Sequence, residues 1–128
     1  AETRVPEAQV WLTDHAHLFV DPFKDKILYY EIGVDTAGTI ADIKNSDTGG
    51  DMKWNGEYEV KTGLNWNVGW MTELRVPFKT LGKSPKEGEV WGLTFARVDI
   101  DKEFSVWTGG EWNDPSLFGE LLFSGEVR

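Results

Sequence analysis

The strongest constraint on this chain is a side-chain period of two. The run Gly69-Trp70-Met71-Thr72-Glu73-Leu74-Arg75-Val76 puts Trp70, Thr72, Leu74 and Val76 on one side and Met71, Glu73 and Arg75 on the other. Successive side chains alternate between the two faces of a strand, so the run reads as a half-buried strand and not as a helix. Val90–Val98 repeats the pattern, with Trp91, Leu93, Phe95 and Arg97 on one side. His15–Asp21, Lys26–Val34, Thr39–Ile43, Tyr58–Thr62, Phe104–Trp107 and Leu117–Phe123 are further strand segments. Turn-forming pairs separate them, among them Asp21-Pro22, Ala37-Gly38, Gly49-Gly50, Leu81-Gly82, Glu87-Gly88 and Gly109-Gly110. Only Phe78–Leu81, just after Pro77, reads as a helical turn, and Lys44–Trp54 reads as a polar loop. Short strands with closely spaced turn signals predict an all-β fold, an antiparallel sandwich or barrel.

The length of 128 residues suits one domain with a single core, spanning residues 1–128. There is no cysteine, so disulfides and thiolate metal sites are excluded. A net charge of -9 weighs against nucleic acid and anionic membranes as partners. The same charge disfavours acidic polysaccharides and leaves neutral glycans. No apolar run is long enough for a membrane-spanning helix. No nucleophile elbow, phosphate-cradling glycine loop or zinc-protease motif occurs. Among 22 acidic residues some pair always meets the spacing a glycosidase needs, so that spacing is uninformative. Glu73, beside Arg75, reads equally as half of a cross-strand ion pair. The chain is therefore expected not to be an enzyme.

The residues that point to a ligand are aromatic. Trp112 lies in Gly109-Gly110-Glu111-Trp112-Asn113-Asp114-Pro115, a run with loop composition, and Trp11 just precedes Leu12-Thr13-Asp14. A flat ring on a loop, flanked by polar groups, suits a sugar, which has an apolar face and polar edges. The simpler reading is that both rings cover the ends of the core. Two rings clamping one sugar would remove about 100–150 Å² of apolar surface, worth about 3 kcal/mol. A few hydrogen bonds add about 1 kcal/mol each, and association entropy opposes them. The balance corresponds to micromolar to millimolar affinity.

Two further constellations suggest metals. His15 and His17 share one strand face and are the only histidines, so a metal there needs a third ligand from elsewhere. Their simpler reading is a solvent-facing pair. Asp99, Asp101 and Glu103 alternate and offer carboxylates to calcium, with Asp21–Asp25 a weaker candidate. The simpler reading of that run is a solvated acidic edge that discourages strand pairing.

Five segments, in order, resemble family 9 carbohydrate-binding modules. Trp11–Pro22 resembles the family's W-x-x-D-x-x-E-x-F-[IV]-D-P segment, and Tyr30–Asp35 its next strand. Gly69–Phe78 is similar to G-W-x-x-E-x-x-I-P-[FW], and Gly88–Arg97 to G-x-x-W-x-x-N-F-x-R. Ser105–Trp107 with Trp112–Gly119 is similar to the closing S-x-W and W-x-[DE]-P-x-x-F-G. The resemblance implies a DOMON-like antiparallel β-sandwich that is secreted or displayed on the cell surface and targets an attached enzyme to a plant polysaccharide.

It further implies that Trp11 and Trp112 sandwich the sugar while His17, Asn113, Glu111 and Asp14 bond its hydroxyls. The expected partner is a neutral glycan of the cellulose or xylan type, with no cofactor required and with structural calcium in some members. Three positions depart from the family pattern. His17 replaces a glutamate, Gly33 stands where sugar binders carry an arginine, and Gly109-Gly110 falls where an asparagine precedes the second tryptophan. The family's earliest strands have no counterpart before Trp11, so open sheet edges and self-association are expected. The alternatives are a haem- or metal-binding redox domain using Met71 with His15 or His17, and an assembly domain that has lost sugar binding.

Overall fold

A computed structural model describes residues 3–4, 8–65, 69–100, 103–109 and 114–125. The strands are β1 (Thr3–Arg4), β2 (His15–Asp21), β3 (Tyr29–Asp35), β4 (Thr39–Ser46), β5 (Gly49–Asp51), β6 (Glu59–Asn65), β7 (Gly69–Arg75), β8 (Val90–Asp99), β9 (Glu103–Val106) and β10 (Gly119–Leu122). One short helix, α1 (Ala8–Trp11), precedes β2. The turn after Pro77 forms at Phe78–Leu81 as expected, as a 3-10 helix closed by Gly82. The fold is an antiparallel β-sandwich.

The large sheet runs β1-β4-β3-β2-β8-β10. Its pairings are antiparallel except that of β1 with β4. β5 continues the edge of β4, and β9 continues the edge of β8 beyond β10. The second sheet is the β6–β7 hairpin. Gly49–Asp51 corrects the loop expected over Lys44–Trp54: it pairs with Lys44–Ser46. Trp54, at the end of that segment, packs on Tyr30 at 5.0 Å and anchors the segment to the core.

The β3–β4 turn shows how local chemistry sets the register. Asp35 Oδ1 accepts from the N–H of Ala37 and of Thr39, and Gly38 adopts φ +84, a conformation that glycine enters without strain. That turn brings Val34 opposite Ile40 and Ile32 opposite Asp42. Ile32, Val34, Ile40 and Tyr58 then form one core cluster, under Val60 and Leu74 of the second sheet. Val20, Tyr30, Leu81 and Trp91 form the other, with Leu18, Leu93, Leu121 and Phe123 around it. Each fully buried large apolar side chain contributes roughly 1.5–3 kcal/mol. Asp42 is wholly buried inside this core, where its Oδ2 accepts from Gly56 N–H at 2.8 Å and Tyr58 O–H at 3.0 Å.

β2 lies between β3 and β8 at the centre of the large sheet, and its burial does not alternate cleanly. Ala16, Leu18 and Val20 face the second sheet. His15, His17, Phe19 and Asp21 face outward, and all four are buried. The outer face is covered at one end by α1, with Val10 fully buried, and near the other by Phe118 against Phe19 and Tyr29. This corrects the expectation of a solvent-facing histidine pair: both imidazoles are about 2% exposed.

Candidate functional site on the outer face of the large sheet

Register decides which residues meet on this face. His17 stands opposite Gly33 on β3 and Ala96 on β8, while His15 stands opposite Asp35 and Val98. Glu31 and Ile43 share a rung further along, as do Val98 and Phe104. Strand pairing thus gathers Trp11, His15, His17, Glu31, Ile43, Val98 and Phe104 around an open pocket of about 390 Å³. Its walls are mostly hydrocarbon and aromatic, with two imidazoles and one carboxylate as polar groups.

Trp11 ends α1 and lies half-buried across the sheet. Its indole stacks on His17 with centroids 4.7 Å apart and planes at 26°, and meets His15 edge-on at 5.2 Å. The far edge of the ring rests on Gly33: a Cβ there would lie 2.7 Å from both Cη2 and Cζ3 of Trp11. Carbon atoms pack at about 3.5–4.0 Å, so only a residue without a side chain leaves room for the indole. The position that the resemblance gives to arginine is here the seat of the tryptophan. His17 in turn stacks on Phe19 at 5.6 Å with planes at 9°, which extends the aromatic column.

The two imidazoles are oriented from behind. His15 Nδ1 sits 2.5 Å from the Thr13 carbonyl oxygen, which only accepts, so Nδ1 carries the proton. His17 Nδ1 faces Glu31 Oε2 at 3.2 Å, which by the same logic makes Nδ1 the donor. Burial holds the His15 pKa below its ordinary value. The Thr13 hydrogen bond and the carboxylates of Asp14 and Asp35 oppose that shift, and His17 adds to it. His15 is therefore neutral at neutral pH. Asp14 Oδ1 accepts from Ile100 N–H at 2.8 Å, which ties the start of β2 to the end of β8.

Of the residues expected to bind sugar, Trp11, His17 and Asp14 lie at this end of the outer face, with Trp11 and His17 in the pocket wall. Trp112, Asn113 and Glu111 lie outside the described residues, as does Asp101 of the acidic run. Asp99 pairs with Glu103 across β8 and β9. Among the described residues no group of three His, Cys, Asp or Glu is placed to hold a metal ion. Met71 corrects the haem reading. It is 58% exposed on β7, whose Thr72 and Leu74 face the large sheet, so Met71 and the histidine pair occupy opposite outer faces of the sandwich.

Glu31, Ile43, Val98 and Phe104 were not singled out from the sequence. Glu31 had a signal, since it lies two residues from Gly33 and so on the same strand face. The others depend on cross-strand register, which a single segment does not carry.

A family model described as carbohydrate family 9 binding domain-like matches residues 2–126. The chain belongs to that family. No curated protein matches the sequence. Among solved structures, a protein from Bacteroides uniformis described as a candidate carbohydrate-binding protein superposes with a TM-score of 0.71 at 17% identity. That match covers 91% of this chain and 63% of the other.

A family 9 carbohydrate-binding module from Caldicellulosiruptor kristjanssonii in complex with cellotriose gives a TM-score of 0.63 at 24% identity, covering 94% of this chain and 62% of that one. The same organism's family 9 module in complex with glucose gives 0.62 at 23% identity, covering 94% and 63%. This chain thus spans somewhat under two thirds of the length of these structures. The family 9 membership is one of carbohydrate binding and not of catalysis.

Proposed function

We propose that this family 9 domain binds the end of a neutral plant-type glucan or xylan, stacking a sugar ring on Trp11 at the outer face of the large sheet. The observation that carries this reading is the seat of Trp11. His17 supports the flat of the ring, Gly33 admits its edge, and α1 fixes its approach. Such a ring loses little freedom on binding, which favours a weak but specific stacking contact. The pocket volume lies within the range that small ligands use, and a few polar groups in an apolar wall suit a pyranose. Cello-oligosaccharides are the first choice because two structural relatives hold cellotriose and glucose.

In this reading Trp112 supplies the opposing ring, with Asn113 and Glu111 beside it. Its flanks support that placement. Thr108 Oγ1 pairs at 2.8 Å with Thr94 Oγ1, which belongs to the outer face, and Asp114 acts electrostatically on Tyr29 of the same face. His17 and Glu31 supply polar edges near Trp11. The domain would tether an attached polysaccharide-degrading enzyme outside the cell.

Affinity electrophoresis through gels containing soluble cellulose derivatives or xylan tests this. Retardation is expected for the natural sequence and not for Trp112→Ala, with unchanged circular dichroism. Equal mobility of the two proteins in every neutral glycan gel overturns the reading.

A further inference from the structure

We propose that His15 and His17 form a two-imidazole binding site for a borderline divalent transition cation such as Cu2+ or Zn2+. The site is distinct in chemistry from the sugar platform, although it lies in the floor of the same pocket. The argument begins with the tautomers. A histidine that ligates a metal usually donates its second ring N–H to a carbonyl or carboxylate, which fixes the ring and raises the basicity of the ligating nitrogen. Both histidines here meet that condition: His15 Nδ1–H points to the Thr13 carbonyl and His17 Nδ1–H to Glu31. In each ring the Nε2 lone pair is then the one that can ligate.

Three further observations converge. The ring centroids are 4.4 Å apart on one strand face, close enough for both rings to serve one ion. Among the described residues His15 Nε2 is buried with no hydrogen-bond partner, and a buried acceptor left without a partner is costly. The charge environment fits a dication: Asp14, Asp35 and Glu31 all lie near the pair, and among the described residues no lysine or arginine lines the pocket.

Imidazole nitrogen selects copper, zinc or nickel over calcium or magnesium. Among the described residues no third side chain completes the set. The ion would therefore take two protein nitrogens and fill its remaining positions with water. Trp11, edge-on to His15 and stacked on His17, covers the pair, so an open-shell ion bound there would quench its fluorescence.

The test uses tag-free protein, stripped with EDTA and dialysed. One equivalent of Cu2+ is added, and electron paramagnetic resonance with nitrogen hyperfine resolution counts the imidazoles. The chain has two histidines, so the count has no other source. Two imidazole nitrogens on one ion are expected. A signal with one imidazole or none overturns the proposal. His15→Gln should weaken Cu2+ binding at least about tenfold. Unchanged affinity in a variant with native circular dichroism also overturns it. Neither outcome bears on glycan binding, which electrophoresis without metal reads separately.

Discussion

Gly33 is the position where one methyl group reveals how the site is built. In Gly33→Ala the new Cβ would sit 2.7 Å from two ring carbons of Trp11 and 3.5 Å from Val10 Cγ1. The overlap with the indole approaches one ångström against an optimum of about 3.5–4.0 Å. Two responses compete. Holding the ring in place costs about 1–3 kcal/mol as overpacking. Swinging it out forfeits the stack on His17, worth about 0.5–1.5 kcal/mol, along with the apolar contact around it. Trp11 is half-exposed at the rim, so the swing is the cheaper response.

Alanine in a strand otherwise gains about 0.5–1 kcal/mol over glycine. The net expectation is a loss of up to about 1 kcal/mol of stability, where an unhindered strand position would show a gain. Glycan affinity should fall as well. Losing one stacking face of about 50–75 Å² removes about 1.5 kcal/mol, or roughly tenfold. Urea denaturation followed by circular dichroism gives the first number, and calorimetry with cellotriose the second. A Gly33→Ala protein that is more stable than the natural one and binds cellotriose equally well would refute the seat assigned to Trp11.

Other expectations are independent of the ligand. Asp42→Ala removes the buried carboxylate that accepts from both the Gly56 N–H and the Tyr58 hydroxyl, so about 2–4 kcal/mol of stability should be lost in urea melts. Tyr58→Phe, which removes one of those donors, should cost nearer 1 kcal/mol. His15 sets a pH dependence. Its folded pKa is depressed, so the unfolded chain takes the proton first as pH falls. Its contribution to stability is full above the ordinary value of 6.5 and declines as pH drops through 6.5 towards the folded value. Urea midpoints that rise on acidification through this window would contradict that sign. Arg75→Ala breaks an exposed pair with Glu59 at 3.4 Å and should leave the urea midpoint unchanged.

Much of the fold could be read from alternation. β2 begins and ends where the sequence places it, and Thr72 and Leu74 of β7 turn inward as expected. Gly49–Asp51 escaped because two glycines and an aspartate carry no apolar period, and backbone pairing alone makes them a strand. The histidine pair misled for a different reason. Period two puts both rings on one face, but it says nothing about what covers that face. Here the cover is α1, a helix too short to have a periodic signature, and the aromatic column led by Trp11. Gly33 was visible as a departure from the family pattern, while its role as the seat of an indole is a three-dimensional fact. Ile43, Val98 and Phe104 reach the pocket through register with neighbouring strands.

The most direct measurement is a proton–nitrogen correlation spectrum of the natural protein titrated with cellotriose. Its seven indole N–H signals report seven tryptophans one by one. The signals of Trp11 and Trp112, assigned by single substitution to phenylalanine, should shift together along one saturable curve while those of Trp54 and Trp91 stay fixed. A spectrum in which no indole responds, or in which Trp11 stays still while others move, would contradict glycan binding at this face.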